Sequence, residues 1–83
     1  MQILYFASIR EQIGKSEETI SKPDDVETVA DLVAHLRSFS EDHHNALESM
    51  MFVRIAVNQV HAQADHPVSD TDEIAFFPPV TGG

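Results

Sequence analysis

Thr28-Val29-Ala30-Asp31-Leu32-Val33-Ala34-His35-Leu36-Arg37 is the stretch that decides the architecture. Val29, Leu32, Val33 and Leu36 fall at the helical spacing that gathers apolar side chains on one face, with Asp31, His35 and Arg37 between them. Thr28 is placed to cap this helix, Asp31 suits its positive first turn, and Arg37 suits its negative last turn. The pattern predicts one amphipathic helix whose apolar stripe must be buried against another layer.

The flanking segments are strand-like and supply that layer. On the N-terminal side, Gln2 to Ala7 is rich in β-branched, aromatic and aliphatic residues. Ile3 and Tyr5 point one way and Leu4 and Phe6 the other, as in a central strand. Ser8 followed by Glu11 predicts a capping box for a short helical turn carrying Ile9 and Ile13, which Gly14 ends by taking a positive φ. Glu17 to Ser21 is polar apart from Ile20, the pattern of an exposed edge strand protected by its charges, before a loop at Pro23-Asp24-Asp25.

On the C-terminal side, Ser40 caps a second, shorter helical piece running through Asn45 and Leu47. Met50 and Met51 are expected to fill gaps in the core. Phe52 to Val57 is a strand with Val53, Ile55 and Val57 on one face, and Asn58-Gln59 is a hairpin turn returning along Val60 to Gln63. After a loop from Asp65 to Asp72, Glu73 to Phe77 alternates Ile74 and Phe76 against Ala75 and Phe77. Pro78-Pro79 then removes two backbone donors and stops the strand.

The order strand, strand, helix, strand, short strand, strand predicts an α+β roll resembling the β-grasp of ubiquitin. The expected sheet is mixed, with four to five strands, and one main helix covers it. Residues 1–78 form this domain, and residues 79–83 form an extended, flexible Gly-Gly tail.

Composition narrows the functions open to such a domain. Eighty-three residues support one modest core and leave no room for a separate catalytic domain with its own cleft. Five Lys and Arg against fourteen Asp and Glu give a charge of −9, which repels nucleic acid and anionic lipid. That excess serves either plain solubility or steering towards a basic protein surface. The absence of cysteine excludes disulfides, thiolate metal sites and a cysteine persulfide. No apolar run approaches the ~20 residues that span a bilayer, and the start Met1-Gln2-Ile3-Leu4 lacks the features of a signal peptide, so the cytoplasm is the expected compartment.

The segment Phe76-Phe77-Pro78-Pro79-Val80-Thr81-Gly82-Gly83 resembles the end of the small subunits of molybdopterin synthase, a ubiquitin-like sulfur-carrier family. The likeness continues in Phe6-Ala7-Ser8-Ile9-Arg10-Glu11-Gln12-Ile13-Gly14 and in the hairpin Ala56-Val57-Asn58-Gln59. Thr71 departs from the glycine usual there, which implies a different turn before the last strand.

The resemblance implies that Gly83 is the working residue. Its carboxylate would be adenylated by an enzyme like those that activate ubiquitin, converted to a thiocarboxylate by a sulfur donor protein, and inserted into the synthase large subunit. There it would give sulfur to a cyclic pyranopterin phosphate, two transfers building the dithiolene. It also implies that the acid, base and phosphate-binding residues belong to the large subunit, and that the synthase is a dimer of heterodimers, a heterotetramer.

The residues themselves suit the role. Pro78 and Pro79 favour an extended conformation that holds the end of the chain away from the domain. With Val80 and Thr81 they form the inserted stem, while Gly82 and Gly83 pass a narrow channel and leave the carboxylate open to attack. A carboxylate is anionic and must be activated with ATP, yet the chain has no phosphate-binding loop. No cofactor is therefore expected on this chain itself, and ATP is used by the activating enzyme.

Two readings stand for Phe6 and Phe77, which the alternation places on the sheet face away from the main helix: they dock partners, or loops cover them. Arg10 and Glu11 are expected to pair with each other or to touch a partner. Adjacent His43 and His44 point in different directions on a helix and no second ligand pair is suitably spaced, so no metal site is expected; His61 and His66 are placed at the surface.

Three rival functions share parts of this pattern. A sulfur carrier of thiamine biosynthesis has the fold and the Gly-Gly end but usually lacks Phe-Phe-Pro-Pro. A ubiquitin-like modifier would join its terminus to lysines of other proteins. A plain binding module would work without Gly82 and Gly83.

Overall fold

A computed structural model describes residues 1–79, so the expected positions of Val80, Thr81, Gly82 and Gly83 lie outside the described residues. Five strands form one mixed sheet: β1 (Gln2–Tyr5), β2 (Glu17–Thr19), β3 (Arg54–Val57), β4 (Val60–His61) and β5 (Glu73–Phe77). Their order across the sheet is β2-β1-β5-β3-β4. β1 and β5 run parallel, with Tyr5 opposite Phe76, and the remaining pairs are antiparallel.

Three helices lie on one face of the sheet: α1 (Ala7–Ile13), α2 (Val29–Arg37) and α3 (Glu41–Ala46). The apolar stripe of α2, namely Val29, Leu32, Val33 and Leu36, is buried in one cluster with Ile3, Tyr5, Ile55, Val57, Ile74 and Phe76. These are the residues whose parity placed them inward, and removing that apolar surface from water is the main stabilising contribution. Ile9, Ile13, Ala46 and Leu47 extend the same core beneath α1 and α3, so the covering layer is broader than one helix.

Thr28 caps α2 with a full capping box, its side chain accepting from the Asp31 amide while Asp31 accepts from the Thr28 amide. Ser40 caps α3 by accepting from the His43 amide at 3.1 Å. Gly14 ends α1 at φ 88, donating its N–H to the Arg10 carbonyl at 2.8 Å. Asn58 and Gln59 both take positive φ, 51 and 69, which is the backbone a two-residue hairpin needs between β3 and β4.

Two expectations are corrected. Ser8 does not cap α1; Phe6 does, through its carbonyl, which accepts from the Ile9 and Arg10 amides, and Ala7 turns the chain sharply at φ 51. The Phe6 amide is held by the Phe76 carbonyl at 3.0 Å, so the strand's last pairing fixes the start of the helix before Ser8 is reached. Met50 and Met51 do not fill the core. They form a 3-10 turn with Phe52, and all three are exposed, because Val53 is the first residue of that run to turn inward.

Thr71 takes no positive φ. The turn is closed by Asp72, whose carboxylate accepts from the Ser69 amide at 2.8 Å and whose own amide donates to the Ser69 carbonyl at 3.0 Å. A short-side-chain acid therefore does locally what a glycine would have allowed.

Phe76 is fully buried and stacks on Tyr5 at 6.0 Å between ring centroids. Phe76→Ala is expected to lower the unfolding free energy by about 3–5 kcal/mol through lost burial and a residual cavity. Thr28→Ala should cost about 1 kcal/mol by leaving the Asp31 amide of α2 without its side-chain acceptor. Urea unfolding of the two variants would check both, and equal losses would contradict this division between core and cap.

Candidate functional site

The root of the C-terminal segment is fixed at the middle of the sheet. β5 is flanked on both sides, Tyr5 lying opposite Phe76 and Arg54 opposite Phe77, so the chain reaches Pro78 from a strand that cannot shift sideways. Proline has no N–H to continue either ladder, and pairing stops. Pro78 and Pro79 are half-buried, and the residues expected to react lie just beyond them.

The face of the sheet away from the helices carries Leu4, Ala75 and Ala56 in one row across the strands. Phe77 and Arg54 form the next row, nearer the end from which the chain leaves. Phe6 follows Tyr5 at this same end and is 46% exposed, while Phe77 is half-buried with its ring edge against His61 at 5.6 Å. The structure therefore brings Phe6, Phe77 and Pro78 to one end of an uncovered sheet face, and the loop-covered alternative fails for Phe6. Arg10 and Glu11 are exposed and form no ion pair with each other among the described residues.

One polar cluster was not foreseen. His43 is only 5% exposed, and its Nε2 donates to Glu18 Oε2 at 2.8 Å; the Tyr5 hydroxyl donates to the same oxygen at 2.6 Å. A carboxylate only accepts, so the proton sits on Nε2, and in the neutral ring Nδ1 accepts from the Ser40 hydroxyl at 2.7 Å. Lys15 Nζ lies 3.5 Å from the other Glu18 oxygen. The chain from Ser40 through His43 and Glu18 to Tyr5 ties α3 to β2 and β1 beneath the helices, and every member is satisfied.

A signal for it existed in the sequence. Glu18 shares parity with Ile20, the one apolar residue of that segment, and the register sets it opposite the buried Ile3. His43 stands three residues after the cap Ser40, the spacing at which cap and ring meet. Tyr5 needed a partner for its hydroxyl once buried.

Burial raises the Tyr5 pKa further above its ordinary range, and the bond to the Glu18 carboxylate and that carboxylate's charge push the same way. For Glu18, burial acts upward but is outweighed by the bonds from Tyr5 and His43 and by the positive charge of Lys15, so its pKa is lowered. A carboxyl lowered in the folded state contributes stability above its unfolded pKa, near 4.5, and loses it as pH falls through the folded value. Glu18→Gln should therefore destabilise the chain by about 1–3 kcal/mol at neutral pH. The gap between variant and unaltered chain should narrow on acidification below pH ~4. Urea titrations at a series of pH values measure this, and a gap independent of pH would show that Glu18 acts only by its shape.

The described residues contain no group of three His, Asp or Glu side chains able to hold a metal ion. No described helix is long and apolar enough to cross a membrane.

Comparison with known proteins bears on what this arrangement serves. The model of the ThiS family matches residues 3–83. The molybdopterin synthase sulfur carrier subunit of Escherichia coli is 41% identical over 83 residues, covering 100% of this chain and 99% of that protein. Among solved structures, SAMP1 of Haloferax volcanii, a small archaeal modifier protein, superposes with a TM-score of 0.76 at 29% identity, covering 100% of this chain and 98% of that one. A chain from the Helicobacter pylori complex of subunits 1 and 2 of molybdopterin-converting factor shares the fold, with a TM-score of 0.65 at 24% identity over 99% of this chain and 96% of its own. The β-grasp architecture read from the strand order is thus found in solved relatives, and the chain belongs to the ThiS family, alongside the molybdopterin synthase sulfur carrier subunits.

Proposed function

We propose that this chain carries sulfur as a thiocarboxylate on Gly83 and, as the small subunit of a molybdopterin synthase, donates it to a cyclic pyranopterin phosphate. The observation that supports this most is that the likeness to the sulfur carrier subunits spans the whole chain, with the family match running through Gly82 and Gly83. The sheet supports it physically. A strand held on both sides presents Pro78 and Pro79 at a fixed place, so a partner that docks on the domain meets the chain at a fixed point of exit.

The chemistry needs three steps, none of which this chain performs alone. The Gly83 carboxylate attacks the α-phosphorus of ATP on an activating enzyme and pyrophosphate leaves. A persulfide on the donor protein then attacks the acyl carbon and AMP leaves, and a thiol cleaves the resulting acyl disulfide, releasing the thiocarboxylate and leaving a disulfide with the donor sulfur. In the large subunit the thiocarboxylate sulfur attacks a side-chain carbon of the pyranopterin as a C–O bond at that carbon breaks, its oxygen leaving with the phosphate or as water, and a second water cleaves the remaining acyl–sulfur bond to restore the carboxylate. Two carriers in turn supply the two sulfurs of the dithiolene, which fits a heterotetrameric synthase working in the cytoplasm. The chain itself binds no cofactor in this scheme; its contribution is an unhindered carboxylate on a stem of Pro78, Pro79, Val80, Thr81 and Gly82, with Phe6 and Phe77 meeting the partners.

The likeness to a small archaeal modifier protein favours a second reading, in which activated Gly83 is joined to lysines of other proteins. Incubating the chain with ATP, its activating enzyme and a sulfur donor distinguishes them by intact mass. Replacement of one oxygen by sulfur at Gly83 is the expected result, with loss of all transfer when Gly82 and Gly83 are deleted from a chain that still folds. Isopeptide-linked adducts without any sulfur exchange would replace the carrier reading by the modifier one.

A further inference from the structure

The 3-10 turn Met50–Phe52 carries the most exposed apolar surface among the described residues that the core and the sheet face leave unexplained. Met51 is 78% exposed, Phe52 67% and Met50 41%. Three consecutive large apolar side chains in water are unfavourable for solubility, and such patches mark binding surfaces. Their place in the fold says which surface. β3 begins at Arg54, which lies opposite Phe77, so the antiparallel register carries the residues before Arg54 alongside Pro78 and Pro79. The turn thus flanks the root of the C-terminal segment, on the side of β5 away from Phe6.

We propose that Met50, Met51 and Phe52 form a docking shelf for the synthase large subunit, continuous with the surface through which the C-terminal segment enters it. This rests on the sulfur-carrier reading above. A protein that encloses the chain beyond Pro79 has to cover what lies around Pro79, and on this flank that is the shelf. Behind it a groove of about 500 Å³ opens between Met50, Val53, Arg54, His61 and Ala62, where the short β4 leaves β3. The fitting partner presents an apolar side chain to this groove and a carboxylate to the exposed Arg54 guanidinium. The large subunit is favoured over the activating enzyme because the full-length relatives of this chain are named as subunits of molybdopterin synthase, and the interfaces of assembled subunits are larger and more apolar than those of passing encounters. Methionine suits the position, since its flexible thioether adapts to the surface that meets it.

The test uses the full chain with the purified large subunit and measures affinity by calorimetry and sulfur transfer by single turnover. Met51→Ser and Phe52→Ser should each raise Kd about tenfold, with transfer at saturation unchanged and the urea midpoint held. Asp24→Ser, in the loop at the opposite end of the sheet, should leave Kd as it was. Unchanged Kd in both shelf variants would overturn the shelf, and so would weakening confined to the activating enzyme. In either case the carrier reading still stands if deletion of Gly82 and Gly83 abolishes transfer. If the unaltered chain neither binds the large subunit nor transfers sulfur, the carrier reading fails and the shelf with it.

Discussion

The parallel pairing of β1 with β5 is the constraint on which the rest of the molecule depends. It places the last strand between the first and the third, so that β5 is bonded on both sides and the C-terminal segment starts from the most firmly held part of the sheet. The same pairing stacks Tyr5 on Phe76 and supplies the carbonyl of Phe76 to the Phe6 amide, which starts α1. A parallel pair cannot be closed by a tight turn. Everything from Phe6 to Asp72 is in that sense one long crossover, and its helices cover one face while the other stays open.

This division of faces separates the buried core from the exposed apolar side chains. The helix side holds the apolar core and the Ser40, His43, Glu18 and Tyr5 chain, whose bonds are all internal. The other side and the end of β5 hold Phe6, Phe77, Arg54 and the Met50–Phe52 turn. Asp70 and Asp72 lie at the opposite end, where the Met1 amine donates to the Ile20 carbonyl, while Glu11 and Glu48 are exposed near Phe6 and the Met50–Phe52 turn, so the charge of −9 is spread over both ends.

Most of the fold was legible because its signals were local and agreed with one another. The stripe of α2, the capping Thr28 and Ser40, the terminating Gly14 and the alternation of β5 each stated a conformation that no tertiary contact opposed. The misreadings have a common cause. Ser8 was a plausible cap, but the cap position was settled by the bond between Phe6 and Phe76, a contact across seventy residues of chain. Met50 and Met51 look like core residues by type, yet the strand's parity is fixed by Val53, Ile55 and Val57, which leaves no inward place for the residues before them. Glu18 was read as an exposed charge because its burial requires His43 and Tyr5, and neither is near it in sequence.

The site was proposed on other grounds. The diproline and the diglycine were singled out by their chemistry, as a stem and an unhindered carboxylate, and by their likeness to the ends of the sulfur-carrier family, and no packing argument entered. Packing adds the frame of reference. An extended stem is useful to a partner only if its origin is fixed relative to a docking surface, since each loosely held residue before it would widen the volume the carboxylate explores and lower its effective concentration in the acceptor site. Pairing of β5 on both sides up to Phe77, followed at once by two prolines of restricted φ, fixes that origin as far as Pro79. If Phe6 after β1 and the Met50–Phe52 turn before β3 are the side chains that dock, their place on the two strands flanking this root would shorten the lever between docking and chemistry to the length of the stem itself.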